Sequence, residues 1–424
     1  MDIRETLRLI HQVDWTDKRP GLARIRELMA RLGDPQDKLR FVHIAGTNGK
    51  GSTAAMLAAI LQSAGYKTGL FTSPYITRFN ERMRVNGAMI TDETLIELTE
   101  SIRPHLVELS EAPTEFEMIT AVAFLYFFKQ QCDVVVLEAG LGGRLDSTNV
   151  IGAPEAVILT AIGLDHTELL GDTIEKIAME KAAIIKAGTS VVLSDQSETV
   201  LRIVQKKCEA VCASLTVTDP SRLTLNAVDG DGLSFDYKRR KALHLRLSGA
   251  YQMQNAAAAL DAADILAQKG FSITGEAIRD GLDRVTWPGR FEVLKRAPLV
   301  ILDGAHNPNG MAALSQSLRL YFPGKKITFV MGALKDKDYQ SMIGTIAPLA
   351  KRCITVQPQN ARALSSQALK RAIQAVFSGE VMDAGDVKSG LDTMAQLCGK
   401  DDVVCVCGSL YMVSEVRAYF GKTE

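Results

Sequence analysis

No stretch of this 424-residue sequence is apolar for long enough to cross a bilayer; the longest runs, 156–162 among them, fall far short of the ~20 residues a spanning helix needs. No secretory signal is expected, because the opening MDIRETLRLI mixes acids with bases and holds no apolar segment of its own. An excess of either charge is also missing. Lys and Arg together number 49, as do Asp and Glu, so neither nucleic acid nor an anionic membrane gains an electrostatic reason to bind. A local anion site stays compatible with that balance. Paired cysteines are absent too: Cys132, Cys208, Cys212, Cys353, Cys398, Cys405 and Cys407 form an odd set without CxxC spacing. That speaks against a disulfide framework or a zinc site and for thiols in a reducing compartment. There is no internal repeat. The expectation is a cytoplasmic protein without nucleic-acid or membrane partners, and a monomer by default.

What the chain does have is material for a core. Hydrophobic residues make up 46% and charged residues 23%, which excludes a disordered or low-complexity chain. At about three times the ~150-residue domain prior, the length calls for two or three domains. Short β-branched runs at 41–45, 68–72, 134–138, 157–162 and 190–193 alternate with helical periodicity at 53–64, 118–129 and 174–186. Most of the runs lack polar alternation, as strands buried on both faces of a parallel sheet should. Between 223 and 247 the period drops to two (LTLNAV, LSFDY, LHLRL around a DGDG turn), which predicts a small antiparallel meander. Helical periodicity returns at 255–267. Two prolines and a glycine in WPGRFEVLKRAP (287–298) break the pattern and place a domain boundary there, with a hinge expected at 291–298. A second αβ series follows, with strands expected at 299–302, 327–331, 352–356 and 403–407. The fold class is therefore α/β: a mostly parallel P-loop-type domain with a meander over 1–292, then a smaller Rossmann-like domain over 293–424.

The strongest chemical signal is an apolar strand running through Gly46, Thr47, Asn48, Gly49, Lys50, Gly51 and Ser52 straight into a helix. Glycines let backbone N–H groups approach phosphate oxygens, the helix start adds a positive dipole end, and Lys50 supplies a point charge. The Ser52 hydroxyl at the helix start can hold Mg²⁺. The spacing departs from GxxxxGK[ST], because Gly51 separates Lys50 from Ser52. Glu138 ends the run DVVVLE at a strand's carboxyl end; alone it reads as a loop anchor, and beside a phosphate loop as an oxygen ligand for Mg²⁺. Lys181 falls in the apolar stripe 174, 177, 178, 184 and 185, where a charged side chain must snorkel or find a partner. His166, one of six histidines, follows another buried strand. GLGG at 140–143 lacks GxGxxG spacing, which leaves a Rossmann dehydrogenase without support.

GTNGKGS resembles the ATP loop of the Mur ligase superfamily. TSPYITRFNERMRVNG (72–87), LEAGLGGRLDSTNV (137–150), GLDHTELLG (163–171), EKAAIIK (180–186), WPGRFE (287–292) and DGAHNP (303–308) follow in order and resemble its folylpolyglutamate synthase/dihydrofolate synthase branch over nearly the whole chain. The resemblance implies an ATP-dependent carboxylate–amine ligase acting on dihydropteroate, tetrahydrofolates and L-glutamate. It implies nucleotide contacts from Thr47, Asn48, Gly49, Lys50, Gly51, Ser52, Asn255 (at a helix start), Arg290, Asp303 and His306 across an interdomain cleft. It implies two Mg²⁺ ions held by Ser52, Ser73, Glu138 and His166, carbamylation of Lys181 by CO₂, and catalytic parts for Lys50, His166 and Lys181. On the substrate side it implies Arg82, Thr114, Phe116, Asp146 and, for glutamate, Ser409; as plain residues, the charges of 78–82 read as a solvated loop. Two rivals remain: another Mur-type amino-acid ligase, which gives no reason for RFNER and TEFE, and a P-loop switch ATPase, which would need no second domain bearing DGAHNP.

Overall fold

The computed structural model describes residues 1–11, 21–229 and 232–422. Contacts divide them into two units, Met1–Arg222 with Gln254–Val285, and Leu223–Met253 with Thr286–Glu424.

The first unit is built on eight strands: β1 Phe41–Ala45, β2 Thr68–Phe71, β3 Met83–Val85, β4 Ala88–Met89, β5 Val134–Glu138, β6 Ala156–Leu159, β7 Ser190–Leu193 and β8 Ser214–Val217. Their order is β4-β3-β2-β5-β1-β6-β7-β8. From β2 to β8 the pairs are parallel, while β3 and β4 fold back antiparallel on one edge. Every residue of β1, β5 and β6 is buried. Each large apolar side chain hidden this way contributes about 1.5–3 kcal/mol, so runs without polar alternation settle in the middle of the sheet. Phe41, Phe71, Val135 and Leu137 share a cluster with Leu28, Leu98 and Phe124 from three covering helices. Val157, Leu159, Val191 and Leu193 share another with Ile177, Ala178 and Val204. Helix starts carry their own stops. Thr114 and Glu117 form a capping box ahead of Glu115–Lys129, and Thr173 caps Ile174–Ala182.

The second unit holds two sheets. β9 Leu223–Asp229, β10 Gly232–Tyr237 and β11 Arg240–Leu245 form the expected antiparallel meander; residues 230 and 231 of its first turn lie outside the described residues. β12 Glu292–Arg296, β13 Leu299–Leu302, β14 Ile327–Met331, β15 Ala350–Gln357, β16 Glu380–Asp386 and β17 Val403–Cys407 form the other, in the order β12-β13-β17-β14-β15-β16. All its pairs are parallel except β12 with β13.

Three expectations change. The hinge expected at 291–298 is largely strand: β12 pairs antiparallel with β13, Phe291 and Leu294 are buried, and Pro298 sits in the turn, where its missing N–H costs no ladder bond. The meander expected with the first domain groups instead with the second unit. The Gly249 N–H donates to the Tyr321 hydroxyl (3.1 Å) and the Ala250 N–H to Ser317 Oγ (2.9 Å), both on the helix Pro308–Tyr321. Asn255 lies in the second turn of the helix Tyr251–Gln268, not at its start. Among the described residues no helix is long and apolar enough to cross a membrane.

Candidate active site

β1 delivers the chain into the glycine loop, and the helix Lys50–Ser63 begins at Lys50 itself. The reversal is made at Gly49, whose φ of 88° lies in the left-handed region and where an added Cβ would sit 2.3 Å from Asn255 Oδ1. Asn255 is thereby fixed against the loop. The N–H groups of Thr47 and Asn48 both donate to the Ala161 carbonyl (2.8 and 3.1 Å). The Thr47 hydroxyl donates to Gly163 O (3.0 Å) and accepts from Gly163 N–H (3.1 Å). The loop is therefore pinned to the segment after β6, while the first helical turn points its N–H groups out of the helix end, ready for an anion.

The basic residues converge on one atom. Lys50 Nζ donates to Gly46 O (3.1 Å) and Thr47 O (3.3 Å), and Lys181 Nζ donates to the same Gly46 O (2.8 Å). Lys181 does not snorkel: in the last turn of Ile174–Ala182 it is only 4% exposed. Burial, and then the Lys50 charge, push its amine down to about 7. Glu138, at the end of β5, is buried; its Oε2 accepts the Ser73 N–H (3.1 Å) and its Oε1 lies 3.9 Å from Lys50 Nζ. Ser52 is buried in the first turn of the helix.

His166 adopts φ 50° ahead of the short helix Thr167–Leu170. Its side chain is 42% exposed, with Nε2 3.9 Å from Asp165 Oδ1. Asp165 itself is buried and close enough to raise the Lys181 pKa. Sequence reasoning passed over Asp165 although it stands inside the GLDHTELLG block; a carboxylate next to the block's histidine was the available signal. Among the described residues no three His, Cys, Asp or Glu side chains gather into a metal-holding group.

On the substrate side, Arg82 is buried rather than solvated, its guanidinium 5.0 Å from the Tyr75 ring centre and 5.7 Å from that of Phe79. The Thr114 hydroxyl accepts the Glu117 N–H (3.3 Å). Phe116 packs so closely on Gly140 that a Cβ there would meet its ring at 2.3 Å. Asp146 is buried and accepts from the Leu141 and Thr148 N–H groups and from the Thr148 hydroxyl; burial raises its pKa against those bonds.

The second unit carries its candidates at the carboxyl ends of β13 and β17, where open α/β sheets hold ligands. Asp303 is buried; it accepts the Tyr251 hydroxyl (2.6 Å) and the Phe291 N–H (2.9 Å) on Oδ2 and the Ala305 N–H (2.8 Å) on Oδ1. Its carboxylate thus anchors the turn that bears Arg290, whose Nη1 donates to Gly289 O (3.0 Å). Burial raises the pKa of Asp303 and, with help from Asp303, lifts Tyr251 well above a free tyrosine. His306 Nδ1 carries its proton, since it donates to the Gly304 carbonyl (2.8 Å). Ser409 is buried, and its Oγ accepts the Tyr411 N–H (3.2 Å).

A family model for the Mur ligase middle domain matches residues 44–263, and one for the Mur ligase, glutamate ligase domain matches 289–410. The chain is similar to the dihydrofolate synthase/folylpolyglutamate synthase of Bacillus subtilis (strain 168), with 40% identity over 94% of each chain. It is similar in structure to Mycobacterium tuberculosis folylpolyglutamate synthase complexed with ADP (TM-score 0.91, 31% identity, 99% of this chain and 98% of that one). E. coli FolC in complex with DHPP and ADP also matches, with TM-score 0.88 and 28% identity over 99% and 98% of the two chains.

Proposed function

The chain belongs to the Mur ligase family, among its folylpolyglutamate and dihydrofolate synthases, and is an ATP-dependent ligase; from that premise we propose that it joins the α-amine of L-glutamate to the carboxylate of dihydropteroate, of tetrahydrofolates, or of both, through an acyl phosphate. The observation that carries the reading is the convergence of Lys50, Lys181 and Glu138 around Gly46 at the mouth of the phosphate loop.

In this reading the N-terminal turn of Lys50–Ser63 and the Lys50 ammonium hold the triphosphate and offset charge as the substrate carboxylate attacks the γ-phosphorus. Asn255, packed on Gly49, lines the nucleotide. Arg290, on the turn that Asp303 anchors, and His306 are the second unit's nucleotide contacts, and Ser409 its contact for glutamate. Arg82, Thr114, Phe116 and Asp146 face the pterin-bearing acceptor. The amine of glutamate then displaces phosphate from the acyl group, with no side-chain nucleophile required.

The donor set suits Mg²⁺. Glu138 is a buried carboxylate that accepts the Ser73 N–H and lies 3.9 Å from Lys50, which stands two residues before Ser52, and Mg²⁺ takes one or two carboxylates with phosphate and water oxygens rather than an all-protein cage. Two ions held by Ser52, Ser73, Glu138 and His166 would supply charge neutralisation at the phosphates. Lys181 suits carbamylation: with its amine near 7, about half is uncharged at neutral pH, and only that form adds CO₂, losing a proton to give a carbamate anion. An anion in place of the second cation at Gly46 also removes the repulsion from Lys50. The protein acts as a cytoplasmic monomer.

The test is product formation by the purified chain with ATP, Mg²⁺, glutamate, and either dihydropteroate or tetrahydrofolate. ADP release that requires both acceptor and glutamate supports the ligase; ADP release indifferent to them overturns it.

A further inference from the structure

His43 is fully buried within β1, three residues before the phosphate loop opens. Its Nε2 lies 2.9 Å from Thr148 Oγ1, and that hydroxyl lies 2.5 Å from Asp146 Oδ1. The Asp146 carboxylate is held further by the Thr148 N–H (3.0 Å) on Oδ1 and the Leu141 N–H (2.7 Å) on Oδ2. One line of hydrogen bonds therefore runs from the strand that feeds the nucleotide loop to the loop that follows Glu138.

Its polarity can be worked out. A threonine hydroxyl has one hydrogen, and both Asp146 oxygens already act as acceptors, Oδ1 from the Thr148 N–H and Oδ2 from the Leu141 N–H. The hydroxyl hydrogen must go to Asp146, so the oxygen accepts from His43, and Nε2 bears the ring proton. Nδ1 is then a bare lone pair, in keeping with its having no hydrogen-bond partner in the interior. The opposite polarity would bury an N–H at Nδ1 with no acceptor, the costlier orphan. The charged groups acting on this line are Asp146, Lys181, which feels the Asp146 charge, and Lys186; burial, and then Lys186, push the His43 pKa down to about 3, so the ring is neutral.

We propose that His43 is a positioning residue: as its Nε2–H tautomer it orients the Thr148 hydroxyl and, through it, the Asp146 carboxylate and the 140–146 loop that packs on Phe116. The line sets the acceptor side of the site without touching substrate. Its kinetic consequence rests on the reading above, in which Asp146 and Phe116 face the acceptor; the tautomer does not.

Two measurements test it. In ¹⁵N-histidine spectra of the full chain, the His43→Gln variant identifies the His43 signals among six histidines. A protonated Nε2 with a bare Nδ1 is expected; a protonated Nδ1 overturns the proposal. In kinetics, glutamine keeps an N–H where Nε2 stood and leucine does not. His43→Leu should raise the KM for dihydropteroate roughly ten-fold, the weight of one hydrogen bond in a charged network, with the KM for ATP unmoved and His43→Gln close to wild type. Equal effects of leucine and glutamine, or an ATP KM that moves in step, would overturn it. If the wild-type chain shows no acceptor-dependent ADP release, the ligase reading is what fails, and the spectra still decide the tautomer.

Discussion

Two amines share one carbonyl oxygen at Gly46, and burial, followed by the Lys50 charge, leaves Lys181 ready to lose its proton. The sign of the consequence is fixed. An unfolded lysine holds its proton up to about 10.4, whereas the folded one releases it near 7, so the unfolded chain binds more protons between those values. Stability from this group therefore rises with pH across that window, by up to about 1.4 kcal/mol per pH unit. Urea midpoints at pH 6.5, 8 and 9.5 should climb in the wild type, and Lys181→Met should remove that part of the climb; identical slopes in both proteins would refute the assignment. Glu138 is the opposite case, a buried acid whose charge sits 3.9 Å from Lys50. Replacing it by Gln keeps the Ser73 N–H bond and removes the charge. On the proposed mechanism kcat should fall by about a hundred-fold or more with folding intact by circular dichroism, and a loss below ten-fold would remove Glu138 from the reaction.

Among the elements, the strand–loop–helix from β1 into Lys50–Ser63 depends on Gly49. Alanine there must adopt a left-handed φ at about 1–2 kcal/mol and push its Cβ into Asn255 Oδ1. Gly49→Ala should lower the unfolding free energy by about that amount or more and raise the KM for ATP; an unchanged ATP KM would mean the turn is not the nucleotide's seat. The meander is held to Pro308–Tyr321 by the Tyr321 hydroxyl, which accepts from Gly249 N–H and donates to Gly232 O (3.4 Å). Tyr321→Phe removes both, leaves the Phe291 ring contact, and should cost about 1 kcal/mol in denaturant midpoint measurements. These elements were legible to different degrees. β1, β5, β7, β13, β14 and β17 appear in the sequence at their observed limits, because strands buried on both faces are apolar at most positions and lack polar alternation. β12 does not: its run Glu-Val-Leu-Lys-Arg is short and lies between glycine and proline, so it reads as a break, and only pairing with β13 makes it a strand.

For the molecule as a whole, three buried groups pull acid stability in different directions. His43 is neutral in the fold down to about pH 3 and charged in the unfolded chain below about 6.5, so its contribution is complete above 6.5 and lost progressively toward 3. Asp146 and Asp303 have raised pKa values, which makes the folded chain the stronger proton binder over their window and acts against the loss. The His43 share of the wild-type stability should therefore be lost between pH 6.5 and 4. His43→Gln, with nothing to titrate at that position, should lose less; parallel pH profiles would show that His43 is not held neutral.

The sequence by itself determined the family, the α/β alternation and the residues of the phosphate loop, because those rest on local order: runs of apolar residues, turn chemistry and fixed spacings. It also located Lys181 in an apolar stripe and Glu138 at a strand end, without deciding what either meets. The tertiary structure decided that Lys181 is buried on the Gly46 carbonyl, that Arg82 lies against Tyr75 and Phe79, that the meander joins the second unit, and that His43 reaches Asp146 through Thr148. Arg82 and Phe79 share one short helix, but the Lys181–Gly46 and His43–Thr148 contacts join different elements, in the case of Lys181 and Gly46 135 residues apart. Burial, and with it the shifted pKa values of His43, Lys181, Asp146 and Asp303, follows from packing between elements, which no local pattern of residues encodes.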